Sequence, residues 1–290
     1  KVSPDASELT GLGVDTPVIA GGGDQAAQAV GCGIVHEGMV SATLGTSGVV
    51  FAQSDQYRVE PEGKLHAFCH AVPGKWHLMG VMLSAAGSFQ WYKNQLGKEE
   101  QVREECGEGN AYDLLTQSAT TVDPGCEGLV FLPYLSGERT PYPDPHARGA
   151  FVGMTLRHSK AHLTRAVLEG VSYGLKDSLS LMQELGIRPS KIILSGGGAR
   201  SELWKQMLAD IFETSCCLVN ATEGAAYGAA LLAAVGCGSL PSVEDASREW
   251  IRETEQVETG PNFSEYKKNY GIYQDLYPAL KKTFYNLSEE

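Results

Sequence analysis

The sequence contains no Cys-x-x-Cys, no long apolar run and no excess of positive charge. Its 7 cysteines are odd in number and scattered, so neither a disulfide framework nor a zinc site is expected. Free thiols in a reducing, cytoplasmic compartment are the expectation instead. The longest run of small apolar residues, Ala225 to Val235, is too short and too rich in Ala and Gly to span a bilayer. With 23 Lys and Arg against 35 Asp and Glu, the net charge is −12. That argues against nucleic acid or an anionic membrane surface as a partner. It does not exclude a small anionic ligand, because backbone N–H groups act locally.

What is present is glycine, 34 residues of it, much of it in short runs beside apolar segments. Gly21-Gly22-Gly23 follows Pro17-Val18-Ile19-Ala20, which reads as a short buried strand, and precedes a helix predicted over roughly 24–34. Asp24 stands at the tip of that turn. It is either an acidic helix cap or a proton acceptor in an open mouth, and the stretch alone allows both. Gly45-Thr46-Ser47-Gly48 separates two β-rich runs, which predicts a hairpin whose turn offers backbone and hydroxyl donors. Lys191 to Leu194 predicts a strand, Ser195 to Ser201 a glycine-rich turn, and Glu202 to Phe212 a helix. That order suits a phosphate or nucleotide, since the glycines allow close approach and the helix N-terminus is partly positive. Its spacing is neither G-x-G-x-x-G nor G-x-x-x-x-G-K-[ST].

Elsewhere, strands are expected at 68–70, 76–81, 129–132 and 216–220, and helices at 84–96, 111–118, 160–185 and 224–235. Residues 97–110 read as a solvated loop or frayed helix. Residues 133–153 carry prolines at 133, 141, 143 and 145 and read as a long ordered loop. Glu138, Arg139, Asp144 and Arg148 can hold it by pairing with one another. His158 and His162 are expected to be surface or capping residues. Gly186 is expected to cap the helix that ends before it. The small residues of 224–235 suit tight packing or a hinge surface. Beyond Pro241, acidic-surfaced helices end in a segment with Tyr266, Tyr270, Tyr273 and Tyr277.

Taken together, GGGDQAAQAVGCG (21–33), TLGTSG (43–48), the run from Gly137 to Val171, LSGGGARSELWKQMLAD (194–210) and EGAAYGAALLA (223–233) resemble the FGGY carbohydrate kinase family. The resemblance implies an α/β fold with an actin-like ATPase (ribonuclease H-like) domain, a mixed sheet flanked by helices. It covers nearly the whole chain, and Gly149 to Glu169 is similar to the family's C-terminal signature throughout. The resemblance implies ATP and Mg2+ as cofactors, a small-molecule sugar and ATP as partners, and it admits a homodimer. By the same resemblance Asp24 is the general base and Gln25 touches the sugar. Gly45, Thr46 and Ser47 form a phosphate motif, Gln90 contacts the nucleotide, and Gly197, Gly198 and Ser201 form the adenosine motif. Ala86 stands where the glycerol-phosphorylating branch has glycine. No residue of this chain is assigned to the metal.

The family's first phosphate motif, metal-associated aspartate and most sugar contacts belong to an N-terminal domain. Residues 1–37 resemble the tail of that domain, and 38–290 its nucleotide-binding partner. The start, Lys1-Val2-Ser3-Pro4 with no initiator Met, suggests a chain that begins partway through a longer protein and is inactive alone. GERTPYPDPHARG (137–149) is most similar to the branch that phosphorylates D-xylulose. Gluconate, ribulose or glycerol is the alternative acceptor, and a non-catalytic actin-like nucleotide-binding module the alternative class.

Overall fold

The computed structural model describes residues 1–221 and 224–288. Nine strands are found among them: β1 (Val40–Leu44), β2 (Gly48–Ser54), β3 (His66–Cys69), β4 (Trp76–Met82), β5 (Val130–Leu132), β6 (Ala150–Val152), β7 (Ile192–Ser195), β8 (Cys216–Val219) and β9 (Glu253–Val257). Seven of them form one mixed sheet in the order β3-β4-β2-β1-β7-β8-β9, while β5 and β6 pair separately. β1, β7 and β8 are parallel, and β2, β3, β4 and β9 join antiparallel.

The helices are α1 (Pro4–Thr10), α2 (Asp24–Gly31), α3 (Ala86–Leu96), α4 (Lys98–Glu105), α5 (Ala111–Ala119), α6 (Lys160–Glu184), α7 (Glu202–Phe212), α8 (Gly224–Gly236), α9 (Val243–Trp250) and α10 (Phe263–Ser288). Period-2 alternation sorts the strand side chains between the two faces of the sheet. Val50, Ala52, Ile192, Leu194 and Cys216 join the large core built with α3, α6, α7 and α10. Their neighbours Val49, Phe51, Ile193 and Cys217 point the other way, against Ala29 and Cys32 at α2. That is why the central strands read as nearly continuous apolar runs.

α2 and α8 cross with their backbones in contact. A Cβ on Gly31 would lie 1.9 Å from the Gly224 carbonyl oxygen, and one on Gly228 would lie 1.8 Å from that of Ala27. The other face of α8, with Ala226, Ala229, Ala230 and Ala233, is exposed. Glu223, which opens the small-residue motif, lies outside the described residues.

Several expectations need correction. Pro17 to Ala20 pairs with no strand among the described residues, and Val18 is exposed. The helix expected over 24–34 stops at Gly31. α1 was not predicted, although its signals are plain: Ser3 accepts from the Ala6 N–H, Pro4 leads the helix and Gly11 closes it at φ 75°. α4 is a formed helix where a loop or frayed helix was expected. β9 was missed because it is an edge strand with a polar sequence, paired on one side. His162 does cap, in a reciprocal box with Ser159, and Gly186 does close α6, at φ 90°.

The 133–153 stretch is ordered, but no ion pair joins Glu138, Arg139, Asp144 and Arg148. Glu138 and Asp144 instead exchange backbone hydrogen bonds of 3.0 Å. The Glu138 carboxylate accepts from the N–H groups of Leu83 and Arg139 at 3.0 and 2.7 Å. The C-terminal tyrosines hold α10 on this loop and on α6. Tyr277 donates to Asp144, Tyr270 donates to Asp177, and Tyr266 accepts from Arg165.

Candidate functional site

β1 and β7 lie side by side and parallel, so their C-terminal ends open on the same edge, where ligands of parallel sheets gather. Leu44 hands over to the Gly45–Ser47 turn, and Ser195 to the Gly196–Arg200 turn. Gly196 takes φ 86°, and a Cβ there would strike the Leu44 carbonyl oxygen at 2.6 Å, so the two turns are held together by a residue that has to be glycine. The first turn also closes on α3. Gly45 accepts from the Ala86 N–H at 2.9 Å, and Thr46 accepts from those of Ala85 and Gly87 at 2.9 and 3.0 Å.

Between these parts lies a cavity of about 620 Å³, within the range of small-molecule sites. Of the residues singled out in the sequence, Gly45, Thr46, Gln90, Gly197, Gly198 and Ser201 line it, and Ala86 does too. Gly197 has neither a left-handed φ nor any atom within 4 Å of a Cβ placed on it. Packing does not demand glycine there, and the bare backbone leaves room for close approach from the cavity. Gly198 is different: a Cβ would meet Leu44 at 2.8 Å and Trp204 at 3.0 Å. Ser201 caps α7, accepting from the Trp204 N–H at 3.3 Å.

Asp24, Gln25 and Ser47 do not line the cavity. Asp24 begins α2, exposed, with Oδ1 accepting from the Gln25 N–H at 2.8 Å. One turn further, Gln28 donates to Thr43 Oγ1 at 2.9 Å and to Ser195 Oγ at 3.4 Å, and those two hydroxyls are 2.9 Å apart. Thr43 and Ser195 are register partners at the C-terminal ends of β1 and β7, beside the two turns. Four residues of helix rise about 6 Å, so Asp24 lies about that far along α2 from Gln28.

Sequence reasoning missed a whole wall. Asn110, which caps α5, and Tyr112, Asp113 and Thr116 along it line the cavity together with Phe89, Arg200 and Trp204. Their spacing along α5 was visible; that α5 folds back on α3 was not. Phe89 is the centre of an aromatic group, 5.3 Å from the Tyr112 ring and 5.9 Å from that of Trp204. No group of three or more metal-ligating His, Cys, Asp or Glu side chains occurs among the described residues. None of the described helices is long and apolar enough to cross a membrane.

Residues 40–237 match the C-terminal domain of the FGGY family of carbohydrate kinases. The chain is 39% identical over 278 residues to a xylulose kinase of Escherichia coli K12, across 96% of this chain and 55% of that protein. It is 31% identical over 290 residues to a gluconokinase of Bacillus subtilis, across 99% of this chain and 56% of that protein. It therefore spans about half the length of these relatives. The crystal structure of a xylulose kinase from Rhodospirillum rubrum superposes with a TM-score of 0.86 at 30% identity, covering 98% of this chain and 55% of that one. The mixed sheet flanked by helices is accordingly the actin-like ATPase fold. Motifs, fold and relatives agree, and the chain belongs to the FGGY family of carbohydrate kinases.

Proposed function

We propose that this chain supplies the nucleotide site and the general base of an ATP-dependent kinase that converts D-xylulose to D-xylulose 5-phosphate. Residues 1–37 then end a sugar-binding domain, and 38–290 form the nucleotide-binding domain. The observation that carries the reading is the single cavity into which the hairpin turn, Gln90 and the Gly197–Ser201 turn all open. Its open face at Gly197 fits a nucleotide. Xylulose kinases among the relatives favour a ketopentose as acceptor, with gluconate as the second choice.

Phosphoryl transfer asks a protein for position and charge more than for covalent chemistry. The turn after β1 presents backbone and hydroxyl groups to the phosphates. Asp24 keeps one carboxylate oxygen on the Gln25 N–H, which leaves the other to take the proton of the attacking sugar hydroxyl as its oxygen bonds to the γ-phosphorus and ADP departs. Gln25 stands beside it for the sugar. Mg2+ bound with the nucleotide would offset phosphate charge, and no residue of this chain is assigned to hold it.

The test is turnover of the longer enzyme that carries this chain. Asp24→Ala is expected to lower kcat by about 10²- to 10⁴-fold while ATP affinity stays at the wild-type value. Near-normal turnover overturns the assignment. A panel of xylulose, gluconate, ribulose and glycerol ranks the acceptors. The chain alone is expected to bind ATP without phosphorylating sugar.

A further inference from the structure

Some polar side chains in the cavity wall are already engaged within the fold. Asn110 accepts from the Tyr112 N–H at 3.0 Å and donates to Glu104 at 2.7 Å. Thr116 donates to the carbonyls of Tyr112 and Asp113, both at 3.0 Å. Two charged residues are not engaged. Asp113, in the first turn of α5, and Arg200, in the turn before α7, line the same cavity, and the side chain of neither has a hydrogen bond or ion pair among the described residues. Opposite charges that share a cavity without meeting leave room between them for a group that satisfies both.

The cavity also grades from apolar to polar. Leu44, Phe89 and Trp204 are buried at its floor, whereas Asp113 and Arg200 are exposed at its rim. A flat aromatic base suits the floor, and a hydroxyl-bearing ring suits the rim. An ionised carboxylate only accepts hydrogen bonds, so its partner at the rim has to donate. A guanidinium is planar and stacks on aromatic faces. We propose that Asp113 makes the site selective for ribonucleotides by accepting from the ribose hydroxyls, while Arg200 covers the outer face of the base. This rests on the ATP reading above and gives roles to two residues that the sequence reading left without one.

The experiment is calorimetric titration of the 290-residue chain with ATP, 2′-deoxy-ATP, 3′-deoxy-ATP and inosine triphosphate. Wild type is expected to prefer ATP over at least one deoxy analogue by about 10- to 100-fold, the worth of a hydrogen bond to a charged group. Asp113→Asn is expected to lose that preference by weakening ATP and leaving that analogue unchanged. Arg200→Ala is expected to weaken all four ligands while keeping the ratio of ATP to the deoxy analogues. Equal weakening of ATP and both deoxy analogues in Asp113→Asn, or no change in any, overturns the ribose assignment. A changed ratio of ATP to inosine triphosphate in that variant also overturns it, because the carboxylate then reads the base. No effect of Arg200→Ala overturns the stacking part. Asp113→Ser, judged by the same ratios, guards against a folding defect in the first variant. Failure of wild type to bind ATP at all overturns the kinase reading instead.

Discussion

His70 and His77 show how single residues set an acid limit for the fold. Both are buried beside Phe51, whose ring stacks on His77 at 4.3 Å and meets His70 edge-on at 5.3 Å. Burial pushes both imidazoles down to about 4, with His77 further disfavoured by the neighbouring His70. A base with a lowered folded-state pKa contributes stability that is fully present above its unfolded value near 6.5 and is lost as the pH falls through 4. The effect is on the order of 2–3 kcal/mol for each ring by pH 4. His77 Nδ1 has no hydrogen-bond partner, so His77→Phe keeps the stack and forfeits little. The variant is expected to lose less Tm than wild type between pH 7.5 and pH 5, read by circular dichroism. An unchanged or steeper loss refutes the account. None of this was legible in the sequence, where the two histidines lie in separate, unremarkable strand segments.

Among the elements, the 133–153 loop is tied to the entrance of α3 through Glu138, which bonds the Leu83 N–H just after β4. Burial pushes Glu138 up to about 8, and it pushes Asp177 up to about 7. Neither carboxyl has a cationic partner among the described residues. A raised acid pKa means that the folded protein holds the proton more tightly. The stability contribution is therefore complete below the unfolded value near 4.5 and is lost as the pH rises through 8. Glu138→Gln retains an acceptor for Leu83 and removes the titration, so its Tm is expected to fall less than that of wild type from pH 6 to pH 9. Parallel melting curves for the two proteins contradict this. The α2–α8 crossing gives a second test. Gly228→Ala overfills it and is expected to destabilise by about 2 kcal/mol or more, measured by urea unfolding. The elements legible in advance were those that carry their own punctuation: α7, read correctly from Glu202 to Phe212, has a capping serine before it and an amphipathic face. β9 and the unpaired Pro17–Ala20 segment were misread because pairing is decided by a neighbour that local sequence does not name.

For the whole molecule, the cavity is lined by parts drawn from residues 44 to 204, so a ligand bound there should be felt by the entire fold. ATP at about 100 times its Kd adds about 2.7 kcal/mol to a one-site protein, which for a chain of this size raises Tm by roughly 4 °C. That shift is expected with ATP and absent with xylulose alone, read by differential scanning fluorimetry. The two glycine turns that line this cavity were visible from spacing and resemblance, whereas the α5 wall emerged only when tertiary structure brought residues 110–116 against 86–90. The bare crossing of α2 over α8 also constrains how the chain can change over generations. Every amino-acid replacement of Gly31 or Gly228 adds atoms where a carbonyl already stands within 2 Å, while Ala226, Ala229, Ala230 and Ala233 face solvent. A lineage can therefore drift along one side of α8 and not the other, and the frozen side is the one that bears on the helix whose first residue is Asp24.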